Sequence, residues 1–283
     1  MNNHVFLMLF WFCSRFTFLL LFMNKRILLI GYNYYPEPTG IGKYSGEMIS
    51  WLAQNGYECD VLTSYPYYPQ WKVQESYSNK KLWYSTEYQN FDGNSVRVCR
   101  CPMYVPAVPT GFKRILVDLS FLISAFIKLN QLLLRKRYDY IISVVPCFQF
   151  GLLGVYYKKL RKAVLLYHVQ DLQIEAARDL KMIKSPVVLN VLFKLEKFIF
   201  KHADSISSIS EGMVRRTRLK AKKDVYLFRN WTDCKQFYPL EDRASLKQKF
   251  GFSATDKIVL YSGAIGEKQG LDSIIHAARA LRD

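Results

Sequence analysis

Two glycine-rich segments each lie between an apolar run and a helical pattern, a position that is typical of anion-binding loops. Gly40-Ile-Gly42 lies between the apolar run Ile27–Ile30 and a helical pattern, and Gly263–Gly270 follows another apolar run. Glycine lets the backbone approach a ligand closely, and a helix beginning there directs free N–H groups at it. The spacing around Gly40 fits neither the G-x-G-x-x-G dinucleotide motif nor the G-x-x-x-x-G-K-[ST] phosphate loop. Either this first loop faces a ligand, or its glycines serve only tight turning and close packing.

Polar residues also follow two predicted strands. His168 closes the run Ala163-Val-Leu-Leu-Tyr-His168, and Arg229-Asn-Trp-Thr-Asp233 follows a strand predicted over 225–228. Ligands of open parallel sheets bind outside the carboxyl ends of the strands, where a neutral histidine can hydrogen-bond a hydroxyl group. The alternatives are an ordinary core histidine at 168 and a plain turn for Asn230 and Asp233.

The elements that position these residues alternate between strand and helix. Arg26–Ser64 reads as strand, glycine loop, helix and strand, which is one βαβ unit of a doubly wound sheet. Further patterns predict one α/β domain with about seven strands, mostly parallel. The segment 65–91 is predicted to be an irregular aromatic loop. Further helices are predicted over 111–137, 149–162 and 186–203, and another begins at 210–211.

Composition changes suggest the domain boundaries. We expect a complete Rossmann-like domain over 23–235, a charged linker with a short helix over 236–256, and the beginning of a second Rossmann-like domain over 257–283. The last part contains a predicted strand over 257–262 and a helix over 271–281. One strand and one helix cannot enclose a core, so the sequence is expected to be C-terminally truncated.

Residues 1–22 form an apolar leader that we place outside the fold. Ser14, Arg15 and Thr17 interrupt it, and a charge near the middle of a membrane span is costly. The leader reads as an upstream mis-start before Met23, as a membrane anchor, or as a signal sequence, in that order of preference.

Charge and cysteines restrict the partners and the compartment. The chain of 283 residues has 40 Lys and Arg against 23 Asp and Glu, a net charge of +17. We expect an anionic partner, and no zinc finger, RNA-binding motif or basic zipper favours nucleic acid. The helix over 111–137 has basic ends that suit a membrane surface, although a core helix with solvated ends is the alternative. The six cysteines contain no C-x-x-C pair, which favours reduced thiols in the cytoplasm.

Four motifs, in order, resemble family 4 retaining glycosyltransferases with the GT-B plan of two Rossmann-like domains. The nearest subgroup is the WcaI/WbuB type, which builds colanic acid, capsule and O-antigen repeat units. The resemblance covers residues 23–283. The motifs are Tyr35-Pro-Glu-Pro-Thr-Gly-Ile-Gly42, His168-Val-Gln-Asp171, Arg229-Asn-Trp-Thr-Asp233 and Tyr261-Ser-Gly-Ala-Ile-Gly-Glu-Lys-Gln-Gly-Leu271.

The resemblance implies roles for these motifs. His168 and Asp171 would be catalytic, beside the transferred sugar. Donor diphosphate would be bound by Gly263, Gly266, Lys268, Gly270 and Arg229, and other substrate contacts would come from Glu37, Gly40, Gly42, Lys43, Asn230 and Asp233. Two departures stand out. Ala264 replaces the subgroup's usual asparagine, and the E-x7-E motif that holds the donor would lie beyond Asp283.

The chemistry of glycosyl transfer agrees with these residue types. A departing nucleoside diphosphate develops negative charge that must be stabilised. The sequence contains no D-x-D motif for a divalent metal, so we expect no metal and no cofactor. Helix N-termini and the cations Lys268 and Arg229 would stabilise the charge instead, unless Lys268 is only a solvated loop lysine.

Three functions therefore compete. The first is a cytoplasmic glycosyltransferase, peripheral on the inner face of the plasma membrane, with a nucleotide-sugar donor and a polyprenyl-diphosphate-linked saccharide acceptor. The second is a truncated inactive copy that keeps membrane or partner binding. The third, a nucleotide- or nucleic-acid-binding protein, rests on the charge of +17 alone.

Overall fold

The computed structural model describes residues 25–281, except for residues 39, 92, 264 and 266–268. The chain divides into two compact units, the first ending at Asn230 and the second beginning at Trp231. The sequence predicted this boundary at residue 235, five residues after the boundary in the structure. The leader 1–22 lies outside the described residues.

The first unit contains an eight-stranded sheet with the order β3-β4-β2-β1-β5-β6-β7-β8. All neighbouring strands are parallel except β3 and β4. The predicted α/β class with a mostly parallel sheet is confirmed. The strands are β1 (Arg26–Ile30), β2 (Glu58–Ser64), β3 (Ser85–Phe91), β4 (Asn94–Cys101), β5 (Tyr140–Val145), β6 (Val164–Val169), β7 (Ser205–Ser208) and β8 (Val225–Leu227).

Helices cover both faces of this sheet. The helices of the first unit are α1 (Gly40–Gln54), α2 (Gly111–Leu133), α3 (Phe150–Arg161), α4 (Gln173–Asp179), α5 (Pro186–His202) and α6 (Glu211–Ala221), with a 3-10 turn at Glu75–Tyr77. The second unit contains α7 (Arg243–Lys249) and α8 (Asp272–Ala280). Ser210 caps α6 as a side-chain acceptor, which agrees with the predicted start.

The two faces of β1 show how the sheet is wound. Leu28 and Ile30 pack in one core cluster with residues of α2 and α3, whereas Ile27 and Leu29 pack in the other with residues of α1. Strand β1 lies between β2 and β5, so the direction of winding changes at β1 and β5. Open parallel sheets bind ligands at the carboxyl ends of such a pair.

Two predictions were wrong. The segment predicted to be irregular contains β3, which mixes the strand formers Thr86, Tyr88 and Phe91 with polar residues and pairs antiparallel with β4. The run 257–262 forms no strand. A strand needs a neighbour to satisfy its backbone groups, and the described residues of the second unit supply no partner strand.

Helix α2 is shorter than predicted and has two different apolar faces. One face, including Val117, Phe121, Ala125 and Leu129, is buried. The other is exposed, and Ile123 on it retains 61% of its accessible surface. In the part of the chain that the structure describes, this helix alone is long and apolar enough to cross a membrane by length and composition. Burial of one face favours a helix packed on the sheet.

Candidate functional site

The sequence-predicted motifs of the first unit follow the carboxyl ends of three parallel strands. The glycine loop follows β1, His168 and Asp171 lie at the end of β6, and Arg229 follows β8. These strands run in the same direction, so their carboxyl ends share one edge of the sheet. The fold therefore brings the glycine loop, His168 and Arg229 to the edge where a ligand is expected.

Glu37 lies inside the loop after β1 rather than on its surface, with 2% of its area exposed. Its Oε1 accepts hydrogen bonds from the backbone N–H groups of Tyr67 at 3.1 Å and Tyr68 at 3.0 Å. Its Oε2 accepts one from Asn33 Nδ2 at 2.8 Å. Burial raises the pKa of Glu37 to about 7. The carboxylate joins the loop after β1 to the loop after β2, which is a positioning role.

The two glycines of the first loop differ in their surroundings. Gly40 begins α1 with φ +60°, a left-handed conformation that favours glycine. A Cβ atom on Gly42 would lie 2.5 Å from Glu37 Oε2, so the missing side chain at 42 makes room for Glu37. Lys43 points along α1, with its Nζ 3.8 Å from Glu47 Oε1. Close packing thus accounts for Gly42 without a ligand.

His168 is buried within the sheet, with 5% of its surface exposed. Its Nδ1 lies 2.9 Å from Ser207 Oγ on the neighbouring strand, and its ring packs edge-on against Phe228. Burial lowers the pKa of His168 to about 4, so the imidazole is neutral at pH 7. Asp171 is half-buried just past the end of β6. A neutral histidine can exchange a hydrogen bond with a hydroxyl but supplies no positive charge.

The motif after β8 is exposed. Arg229 pairs with Glu211 at 2.9 Å on the surface. Asn230 is exposed, and Asp233 accepts a hydrogen bond from the Lys235 backbone N–H at 2.8 Å within a local turn. This geometry agrees with the plain-turn alternative, and the binding roles of these residues stay predictions.

The structure describes only part of the second glycine-rich segment. Gly263 is exposed, and Gly270 has φ +60° just before α8. Gly266 and Lys268 lie outside the described residues, as does Ala264. The proposed diphosphate-binding role of this segment therefore stays a prediction.

Arg100 of β4 was not among the residues predicted from the sequence, and it supports the glycine loop through hydrogen bonds. It is fully buried, and its guanidinium donates to the Tyr35 carbonyl at 2.7 Å, to the Ser64 carbonyl at 3.0 Å and to Glu87. It thereby connects the loop after β1 to β2 and β3. Arg100 stands at the alternating positions of β4 that Val96 and Val98 occupy. This is the signal that could have revealed it, because a buried charge needs partners.

No three His, Cys, Asp or Glu side chains are grouped closely enough to hold a metal ion among the residues that the structure describes. Each cysteine at 59, 99, 101, 147 and 234 is a free thiol. The absence of a metal requirement and the cytoplasmic location stay predictions.

Known proteins similar to this chain agree with the motif analysis. Residues 39–225 match the family described as "Glycosyl transferase 4-like domain". The chain is 39% identical over 268 residues to "Putative colanic acid biosynthesis glycosyl transferase WcaI" of Escherichia coli (strain K12). The aligned region covers 91% of this chain and 63% of that relative, so the chain spans somewhat less than two thirds of the relative's length.

Proposed function

Because the chain belongs to the glycosyl transferase 4-like family, we propose that it acts as a glycosyltransferase in surface polysaccharide biosynthesis. It moves a sugar from a nucleotide-sugar donor to a saccharide acceptor linked to a polyprenyl diphosphate, with retention of configuration and without a metal or cofactor. The observation that carries the proposal is the common sheet edge that gathers the Glu37 loop, the His168 motif and the Arg229 motif. The similarity to a colanic acid biosynthesis relative supports the same process.

Glycosyl transfer requires contacts to the sugar and to the leaving diphosphate, and we propose that the two units supply different ones. In the first unit, His168 offers a neutral hydrogen-bonding group to a sugar or acceptor hydroxyl, and Glu37 and Arg100 hold the loops that follow β1 and β2. In the second, the glycine-rich segment before α8 offers backbone N–H groups to the donor diphosphate. These groups and the cation Lys268 stabilise the leaving diphosphate.

A transfer assay with the product of the complete reading frame tests this function. We expect radiolabel from one of a panel of uridine- and guanosine-diphosphate sugars to enter a polyprenyl-diphosphate-linked saccharide. The product should keep the donor's anomeric configuration, and EDTA should leave the rate unchanged. Absence of transfer from every donor would contradict the function, and activity restored only by added Mg²⁺ would contradict metal independence.

The exposed face of α2 supports a location on the membrane. This face, which we call the outer face of α2, consists of Phe112, Ile115, Leu116, Leu119, Ile123, Phe126 and Ile127. Arg135, Lys136 and Arg137 follow the helix and are exposed, and the chain carries a net charge of +17. An apolar helix face flanked by cations fits an anionic lipid surface. The protein is thus proposed to lie on the inner face of the plasma membrane, where a lipid-linked acceptor is available.

Vesicle binding tests this contact. Ile123→Asp should weaken binding to phosphatidylglycerol-containing vesicles by about tenfold or more, because a carboxylate replaces an apolar contact in an anionic interface. Salt should release the wild-type protein, since the attraction is partly electrostatic. The matched control Leu219→Asp alters an exposed leucine on α6 and should bind normally. Equal binding by Ile123→Asp and the wild type would exclude the outer face of α2 as the contact.

A further inference from the structure

A row of polar side chains extends from the loop after β1 to helix α2 at the carboxyl edge of the sheet. It begins at Glu37, which is bonded to Asn33 at 2.8 Å. The Tyr67 side chain lies beside Asn33, and the Tyr32 and Tyr67 rings pack edge-on with their centres 6.1 Å apart. Tyr32 in turn lies next to Asp118 of α2. Glu37, Asn33, Tyr67 and Tyr32 are buried, whereas Asp118 is partly exposed. This row of side chains therefore reaches solvent at Asp118.

Asp118 lies where the winding direction of the sheet changes. Its neighbours are Tyr32, which follows β1, Cys147, which follows β5, and the cation Arg114 one helical turn earlier. Burial raises the pKa of Asp118 to about 6. The charge of Arg114 lowers this pKa, but the desolvation outweighs it, and a desolvated carboxylate is costly to keep. It therefore needs an explanation beyond stability, and its place beside the winding change of the sheet suggests a ligand.

An indole ring and a guanidinium lie near this carboxylate. Arg114 is one helical turn before Asp118, and its guanidinium lies 5.4 Å from the centre of the Trp71 ring. The Trp71 ring packs edge-on against Tyr67 at 5.5 Å. Trp71 also has φ +54°, a left-handed conformation that is unusual for a bulky residue, and strained backbone of this kind clusters at functional sites.

We propose that Trp71, Arg114 and Asp118 form a subsite for the saccharide unit of the acceptor. The Asp118 carboxylate accepts a hydrogen bond from a sugar hydroxyl, Arg114 donates to a sugar oxygen, and the Trp71 ring packs on an apolar face of the sugar ring. One aromatic surface with a few directed polar groups is the usual composition of a small-ligand site. The proposal rests on the proposed function, because it identifies the ligand as the acceptor.

The position of Asp118 on α2 favours an acceptor over a donor. The next residue, Leu119, belongs to the outer face of α2, whereas Asp118 faces Tyr32 at the sheet edge. When the outer face of α2 rests on a membrane, a lipid in that membrane can place its attached sugar next to Asp118, because both surfaces belong to the same helix. Tyr32 and Tyr67 lie between this subsite and the Glu37 loop, so the loop supports the subsite.

Sugar binding by the chain itself tests the subsite. Saturation-transfer NMR is recorded with the methyl glycosides of glucose, galactose, fucose and N-acetylglucosamine. At least one should bind the wild-type protein, and Asp118→Asn and Trp71→Ala should each weaken its binding about tenfold, as expected for loss of one charged hydrogen bond or one stacking surface. The matched controls Asp179→Asn and Trp83→Ala change exposed residues and should bind as the wild type does. Thermal unfolding verifies that every variant is folded.

Two outcomes would overturn the subsite: none of the four glycosides binds, or binding survives both Asp118→Asn and Trp71→Ala. The transfer assay separates this failure from failure of the proposed function. If the complete gene product transfers sugar while Asp118→Asn leaves the KM for the acceptor unchanged, the subsite alone is wrong. If no transfer occurs but glycoside binding depends on Asp118, the subsite stands as a saccharide-binding site and the catalytic function is wrong.

Discussion

Replacing His168 with alanine is expected to lower the turnover of the complete gene product by about 100-fold or more, in line with loss of one positioned polar group at a transition state. His168 lies at the end of β6, on the ligand-binding edge, and its Nδ1 is held by Ser207 at 2.9 Å. This contact orients the ring, and Nε2 is the nitrogen that we propose meets a substrate hydroxyl. Donor binding should change less, because the diphosphate is proposed to lie on the second unit.

Steady-state kinetics with a matched control decide the role of His168. His202→Ala alters a histidine at the end of α5 and should keep normal turnover. Ser207→Ala should lower turnover less than His168→Ala, because it removes only the orienting contact. Normal turnover by His168→Ala would make this residue an ordinary packed histidine of the core.

The titration of His168 gives a second readout. Its pKa in the folded protein is lowered from 6.5 to about 4 by burial. Between these values the unfolded chain binds the proton more readily, so the free energy of unfolding should rise with pH across this window and then become constant. His168→Gln should remove this contribution. The rate should show no ionisation of His168 near pH 7, because the residue is already neutral.

Replacing Gly42 with alanine is expected to lower the free energy of unfolding by about 2–3 kcal/mol, as for an overpacked core. The new Cβ atom would lie 2.5 Å from Glu37 Oε2 and 2.6 Å from Glu37 Cβ. Glu37 cannot easily move aside, because it is bonded to Asn33, Tyr67 and Tyr68. Valine at the same position should cost more, since it adds two methyl groups in the same space.

Denaturant unfolding measures this effect against a neutral glycine. Gly212 lies in α6, where a Cβ atom would have no neighbouring side chain or loop within 4 Å. Gly212→Ala should therefore be neutral or stabilise by up to about 1 kcal/mol through helix propensity. Combining Gly42→Ala with Glu37→Gly removes the colliding atoms and should cost less than the sum of the two single changes. A Gly42→Ala protein as stable as the wild type would return Gly42 to the ligand-facing interpretation.

Local periodicity was enough to predict the α/β class and the position of most elements. Alternating apolar runs and helical stripes depend on residues close in sequence, so the strands around Leu28 and Leu166 and the helix that begins at Gly40 were recognisable. Strand β3 was missed because its mixed sequence becomes a strand by pairing with β4. The predicted strand 257–262 failed for the converse reason: an apolar run alone provides no partner for its backbone.

The sequence by itself determined which residues follow the carboxyl ends of strands, because chain order and strand direction fix that. Only the tertiary structure decided what those side chains touch. Glu37 turns inward to the Tyr67 and Tyr68 amides, and Asp118 meets Tyr32 from a helix far away in the sequence. The physical reason is that burial and hydrogen bonding depend on distant segments packing together, and no local pattern encodes those contacts.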